Sequence, residues 1–171
     1  MKYLLLLLAP LVLAACATLS EDQCRAGDWG AIGQNDGANG RKADFILQHA
    51  KACNKIGVVP VRATWEKGRQ EGLKLYCRPR RAYEVGAKGK TLSPVCPVEG
   101  LAQLERANAR GLRWYRIGQE ISEVQSDIRS INSELASLPA DDPSRAALFG
   151  ERASLRLDIL TLRAQRGRYR Y

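Results

Sequence analysis

The stretch Ile117-Gly-Gln-Glu-Ile121-Ser-Glu-Val124-Gln-Ser-Asp-Ile128-Arg-Ser-Ile131-Asn-Ser-Glu-Leu135-Ala-Ser-Leu138 puts a branched apolar residue at alternating steps of four and three. This a/d spacing marks a helix that buries one stripe against another helix, and it is sustained for three heptads. Pro139-Ala-Asp-Asp142-Pro143 ends that helix and starts the next, with Asp142 as N-cap and Pro143 in the first turn. Leu148, Leu155, Ile159 and Leu162 give the second helix a compatible seam, interrupted by Arg152 and Arg166. Residues 117–138 and 144–166 each span about 33 Å at 1.5 Å per residue. Equal helices joined by a tight turn predict an antiparallel, coiled-coil-like hairpin. The part of the long helix before Ile117 has no partner in that hairpin, so it is expected to pack on what precedes it.

What precedes it holds all the cysteines. Cys24, Cys53, Cys77 and Cys96 are widely spaced, with no pair two residues apart, so the knuckles of a zinc site are missing. In an oxidising compartment, four such cysteines read as two disulfides. Ser20 and Gln23 form a capping box ahead of a short helix carrying Cys24 and Trp29, which is expected to fade in the glycine-rich run from Gly33 to Gly40. A second helix fits residues 42–55, with Ile46, Ala50 and Cys53 on one face and Gly57 as its stop. A third begins near Pro60 and carries Trp65, Gly68, Gly72, Leu73 and Tyr76, until Arg78-Pro-Arg80 breaks it. Residues 83–91 are ambiguous, and the long helix starts near Val98. Three disulfide pairings are possible. Antiparallel succession of the short helices favours Cys24 with Cys53 and Cys77 with Cys96. The expected fold is therefore all-α, with a cysteine-stapled module at 16–97 and a long helix with its hairpin at 98–171.

The chain opens with Met1-Lys2, a basic start, then an apolar run from Tyr3 to Val12, shorter than the roughly 20 residues that span a hydrocarbon core. This predicts a signal peptide over residues 1–15. The run ends in Leu13-Ala14-Ala15-Cys16, which resembles the lipobox of bacterial lipoproteins. The resemblance implies cleavage before Cys16, acylation of its sulfur including a palmitate-type chain, and stable anchoring through more than one acyl chain. Ala17 in place of aspartate implies sorting to the outer membrane, facing the periplasm.

The formal net charge of +9 suits anionic neighbours such as lipopolysaccharide phosphates and peptidoglycan carboxylates. The compartment excludes nucleic acid as a partner. The sequence Arg166-Gly-Arg168-Tyr-Arg170-Tyr171 therefore reads as a frayed polar helix end. Every basic residue after Lys90 is arginine, whose planar fork binds carboxylates and phosphates. Arg69 and Arg156 are candidates for a partner surface. Trp29, Trp65 and Tyr83 could line a groove that stacks on a wall sugar or peptide, or could be core anchors.

Other chemistries fit poorly. The run Gly33 to Lys42 lacks the GK[ST] ending of a phosphate loop, and Ile46 stands where a calcium loop needs glutamate. His49, the one histidine, shares a helical face with Cys53, but a cysteine held in a disulfide is no nucleophile. His49 then reads as a packing or hydrogen-bonding residue. No GxSxG, HExxH or SxxK pattern occurs, so no catalytic, metal or cofactor site is assigned.

Across the module runs a longer series: Asp28-Trp29, Ile32-Gly33, Asp36-Gly37, Gly40-Arg41, His49 with Cys53, Gly57 with Pro60, Trp65-x-x-Gly68-Arg69-x-x-Gly72-Leu73, Tyr76-Cys77-x-Pro79 and Val95-Cys96-Pro97. Together these resemble an uncharacterised family of Gram-negative bacterial lipoproteins, a domain of unknown function, over residues 24–111. Trp65 stands where that family tends to have tyrosine, Ala82 where glycine is common, and Leu104 and Asn108 where aromatics precede Gly111. The resemblance implies a fold unit and no reaction. The expected function is a non-enzymatic outer-membrane lipoprotein that acts as a protein-interaction or scaffold component of the envelope. The alternative is a binding module for peptidoglycan or lipopolysaccharide.

Overall fold

The computed structural model describes residues 18–171. The signal segment and Cys16 lie outside the described residues. Seven α-helices and no strand make up the described chain, an all-α fold.

Helix α1 (Glu21–Ala26) starts at the capping box: Ser20 and Gln23 exchange side-chain-to-backbone hydrogen bonds. It stops at Gly27, whose φ of +63° only glycine adopts without strain. Trp29 therefore belongs to a separate helix, α2 (Trp29–Ala38), capped by Asp28. The expectation that helix fades in the glycine run is overturned, because α2 continues through Gly33 and Gly37. Helix α3 (Ile46–Cys53) is shorter than expected, with a 3-10 turn on either side, and Gly57 closes it at φ +70°. Helix α4 (Arg62–Tyr76) follows. Pro79 does not merely break it but occupies the first turn of α5 (Pro79–Gly86), settling the ambiguous stretch as helix. Helix α6 (Leu101–Ser137) packs its first part against α5, and α7 (Ser144–Arg168) returns along its second half.

Tertiary packing supplies what low helix propensity withholds from the glycines. A Cβ on Gly33 or Gly37 would lie 2.0 Å from the carbonyl oxygens of Trp65 and Arg69 in α4. One on Gly68 or Gly72 would lie equally close to those of Gly30 and Gln34 in α2. Both sets ascend together, so α2 and α4 run parallel with two Gly-x-x-x-Gly faces meshed backbone to backbone. Bare glycines permit this approach.

The same mesh occurs a second time. In α5, Gly86 faces Asn108 O and Leu112 N, and in α6 Gly111 faces Tyr83 O and Ala87 N. Each partner stands 49 residues after its counterpart in α2 or 39 after its counterpart in α4. Gly40 ends the first pair at φ +69° beneath the ring of Tyr76, and Gly89 ends the second at φ +74° beneath Tyr115. The Arg69 guanidinium donates to the carbonyl of Arg41 after the first glycine, and Asn108 Nδ2 to that of Lys90 after the second, both at 3.0 Å.

Disulfides complete the correspondence. Cys24 pairs with Cys53 and Cys77 with Cys96, each with a Cα separation of 5.6 Å. In each half one cysteine precedes the first helix and the other precedes the second. Parallel helices begin side by side, so each bridge ties together the two starting ends. The module is thus a tandem structural repeat: two parallel helix pairs, each bridged at the start, meshed through glycines and closed by a tyrosine ring. The second pair borrows the first part of α6, where the region before Ile117 was expected to pack on the module.

In the hairpin, Ile117, Ile121, Ile131, Leu135 and Ile159 are buried, whereas Val124, Ile128, Leu148, Leu155 and Leu162 are half-covered. Two helices alone cannot enclose the stripe of either. The Asp142 carboxylate accepts from Ser144 N at 2.9 Å, capping α7. The arginines that interrupt the seam have partners on α6: Arg152 donates to Asn132 Oδ1 at 2.8 Å, and Arg166 stacks 3.7 Å over the Trp114 ring while donating to the Trp114 carbonyl. The chain end is not frayed. Arg113 lies over the Tyr169 ring, Arg110 donates to the Arg170 carbonyl, and the Tyr171 ring sits 5.2 Å from that of Tyr83.

Candidate functional site

Two places hold side chains that the helix mesh alone does not require. The first is inside the module. Asp36 lies on α2 one residue before Gly37, and its Oδ2 receives Trp65 Nε1–H at 2.8 Å and faces His49 Nε2 at 2.7 Å. A carboxylate only accepts, so Nε2 carries the hydrogen; in the neutral ring Nδ1 accepts from the Thr18 hydroxyl, 2.9 Å away. His49, Trp65 and Asp36 are all buried, and no buried side-chain polar atom lacks a partner among the described residues. The ring of Phe45 packs edge-on to His49 at 5.0 Å.

A hydroxyl, an imidazole and a carboxylate in line resemble the parts of a nucleophilic triad. Here Trp65 occupies the same carboxylate oxygen, and Thr18 leads directly into Leu19, which is packed in the core with Cys24, Trp29, Ile46, Cys53 and Trp65. The arrangement acts as a strut that fastens the start of the described chain to the module. His49 packs and hydrogen bonds, as its setting in the sequence suggested. A cleft of about 410 Å³ borders the strut, lined by Gln23, Asn35, Asn39, Arg41 and Phe45. Asn39 is tied to Asn35, and the Arg41 guanidinium stacks 4.3 Å above Phe45.

The proposed aromatic groove is not formed. Trp65 is fully enclosed, Trp29 and Tyr83 are buried, and Arg69 is buried as well. Of the two readings open for Trp29, Trp65 and Tyr83 the structure bears out core anchoring, and Arg69, a candidate for a partner surface, is drawn inward with them by the glycine mesh. Arg69 holds Glu66 through two hydrogen bonds, 2.7 and 2.8 Å, besides reaching the Arg41 carbonyl. Its hydrogen bonds hold the Glu66 carboxyl below the usual range, and those of Glu66 raise Arg69 in turn.

Arg156 alone of the expected surface residues is exposed, and it marks the second place. On the hairpin, Ile128, Ile159 and Leu160 floor an open cleft of about 560 Å³ rimmed by Gln125, Arg129, Arg156 and Arg163. The sequence missed this cleft because an a/d seam specifies which residues meet the partner helix, not which flank stays uncovered. The signal that was present is a second apolar series in α7: Phe149, Ala153, Leu157, Leu160 and Ala164, at steps of three and four on a face away from the seam. Leu157 and Leu160 are 64% and 60% exposed.

Among the described residues no group of three or more His, Cys, Asp or Glu is placed to hold a metal, and no helix is long and apolar enough to cross a membrane. A family model described as a protein of unknown function (DUF2799) matches residues 28–113, half of the chain. The chain belongs to the DUF2799 family. The DUF2799 region begins at the Asp28 cap of α2 and ends two residues past Gly111, so it coincides with the two meshed pairs and leaves the hairpin outside. No curated protein and no solved structure matches the chain.

Proposed function

We propose that this DUF2799 protein is a non-enzymatic lipoprotein, anchored through Cys16 to the periplasmic face of the outer membrane, that presents its helical hairpin to another envelope protein. The observation that carries this reading is the exposed second apolar face of α7, which two helices cannot cover and which lies outside the family's module of repeated pairs. The strut supports it from the other end. Thr18 is fixed to His49 only two residues after Cys16, so an acylated cysteine would stand within about 7 Å of a rigid body, at 3.3–3.6 Å per residue. The module would sit close against the lipid surface, with the hairpin as the reaching part.

Two measurements test this. Mass spectrometry of the amino-terminal peptide should find Cys16 acylated, and Cys16→Ser should move the protein from the membrane to the soluble fraction. Binding to an envelope partner should weaken only modestly at high salt, because the apolar face carries it, and vanish when Leu157 and Leu160 are changed to glutamate. An unmodified Cys16, or a hairpin variant with all its partners retained, would refute the reading.

One observation favours the alternative of a module for lipopolysaccharide or peptidoglycan. Arg113, Arg116 and Arg168 converge on a cleft of about 410 Å³ with Tyr169, opposed there only by Glu120. With Trp29 and Trp65 buried, that reading rests on these arginines and Tyr169. It predicts affinity for isolated cell wall or lipopolysaccharide that falls steeply with salt.

A further inference from the structure

Resting on the hairpin reading above, we infer that the cleft floored by Ile128, Ile159 and Leu160 receives an acidic amphipathic helix of a partner protein. The arginines of the hairpin divide into two groups. Arg145 donates to the carbonyls of Leu135 and Leu138, Arg152 to Asn132 and Arg166 to Trp114, each closing the two helices on one another. Arg129, Arg156 and Arg163 form no ion pair or side-chain hydrogen bond among the described residues, and all three surround the cleft. No carboxylate lines it. An apolar floor under unneutralised arginines complements apolar side chains flanked by aspartate or glutamate.

Shape selects a helix. The exposed series from Phe149 to Ala164 extends about 22 Å at 1.5 Å per residue, which is four helical turns. Of that series only Leu160 lines the cleft, so a third helix seated over Ile128 and Ile159 would meet the series at its edge and complete a bundle by ridges-into-grooves packing. An acyl chain would need an enclosed slot, whereas this cleft is broad and shallow. Charge argues against a second copy of the chain. A two-fold antiparallel contact of α7 with its copy about the middle of the cleft sets Arg156 opposite Arg163 of the copy and Arg163 opposite Arg156, like charge against like.

The test uses the full chain in its native cells, with a photo-crosslinking amino acid at Gln125 or Arg129 on the cleft, and at Ser130 on the opposite side of α6 as reference. The expected result is attachment of another protein from the cleft positions, with the linked peptide mapping to an amphipathic helix that carries acidic flanks. Arg156→Glu with Arg163→Glu should cut the yield about tenfold, as reversing two rim charges implies. Should that variant misfold by circular dichroism, Leu160→Ala removes floor contacts without adding charge and should produce a similar loss. Linkage to a second copy, to lipid or lipopolysaccharide alone, or to a segment without acidic flanks overturns the inference. Attachment from Ser130 but not from the cleft overturns the site while the partner-presenting function stands. Attachment of no protein from any hairpin position overturns both.

Discussion

The two meshed pairs of the module share one backbone design and differ in what fills it. Both have a starting-end disulfide, a glycine mesh and a tyrosine over a left-handed glycine. The first pair has a linker longer by ten residues, the difference between the 49- and 39-residue offsets, and α3 with His49 lies in that linker. Asp36 and Trp65, which bind His49, correspond by the same offsets to Val85 and Leu104 in the second pair. The mesh therefore does not require the polar strut. The second pair keeps its linker short and uses Asn108 to hold Ala82 O, Lys90 O and Leu92 N directly. What the difference teaches is that the repeated unit is a scaffold, and that the strut is an addition fastening the segment next to Cys16.

The disulfides should give the largest effects. Loops of 29 and 19 residues differ little in closure entropy, so replacing either pair of cysteines by serine should cost about 3 kcal/mol in denaturant unfolding. A large disparity between them would show that the two pairs are not energetically alike. Close behind comes the mesh. Gly72→Ala and Gly111→Ala force a Cβ onto backbone on the facing helix, and each should lose up to about 3 kcal/mol. Gly150→Ala, with open space around it, should instead gain about 0.5–1 kcal/mol.

The strut offers a sharper comparison. Asp36→Val leaves His49 and Trp65 with unpaired buried nitrogens and should destabilise by about 2 kcal/mol. Adding His49→Leu and Trp65→Leu, which makes the first pair chemically like the second, should recover part of that loss in a mutant cycle. A strictly additive result would break the equivalence. The smallest effect concerns Glu66. Its carboxyl is held below the usual range by Arg69, so the stability it contributes is complete above its unfolded value and is lost as pH falls through the lower folded one. Glu66→Gln should flatten that acid limb in melting curves, and an unchanged limb would remove Glu66 from the account.

Much of the fold was legible because it is local. Caps at Ser20 and Asp142, the stop at Gly57 and the heptad seam are written in neighbouring residues, and the succession of helices was enough to favour the observed disulfide pairing. The misreading of α2 came from its glycines. Gly33 and Gly37 weaken an isolated helix, and only α4 lying against them makes their bareness an advantage. The repeat was visible as Trp65-x-x-Gly68-Arg69-x-x-Gly72-Leu73-x-x-Tyr76 beside Leu104-x-x-Ala107-Asn108-x-x-Gly111-Leu112-x-x-Tyr115, but few positions are identical and the unequal linkers shift the register.

By itself the sequence determined that the chain is helical, that its cysteines lie in one module and that an apolar seam joins its last two helices, since each follows from spacing along one segment. Only the tertiary structure decided that Trp29, Trp65, Arg69 and Tyr83 turn inward and that Arg129, Arg156 and Arg163 stand free over an apolar floor. Burial is set by how closely two backbones approach, and segments far apart in the chain fix that distance.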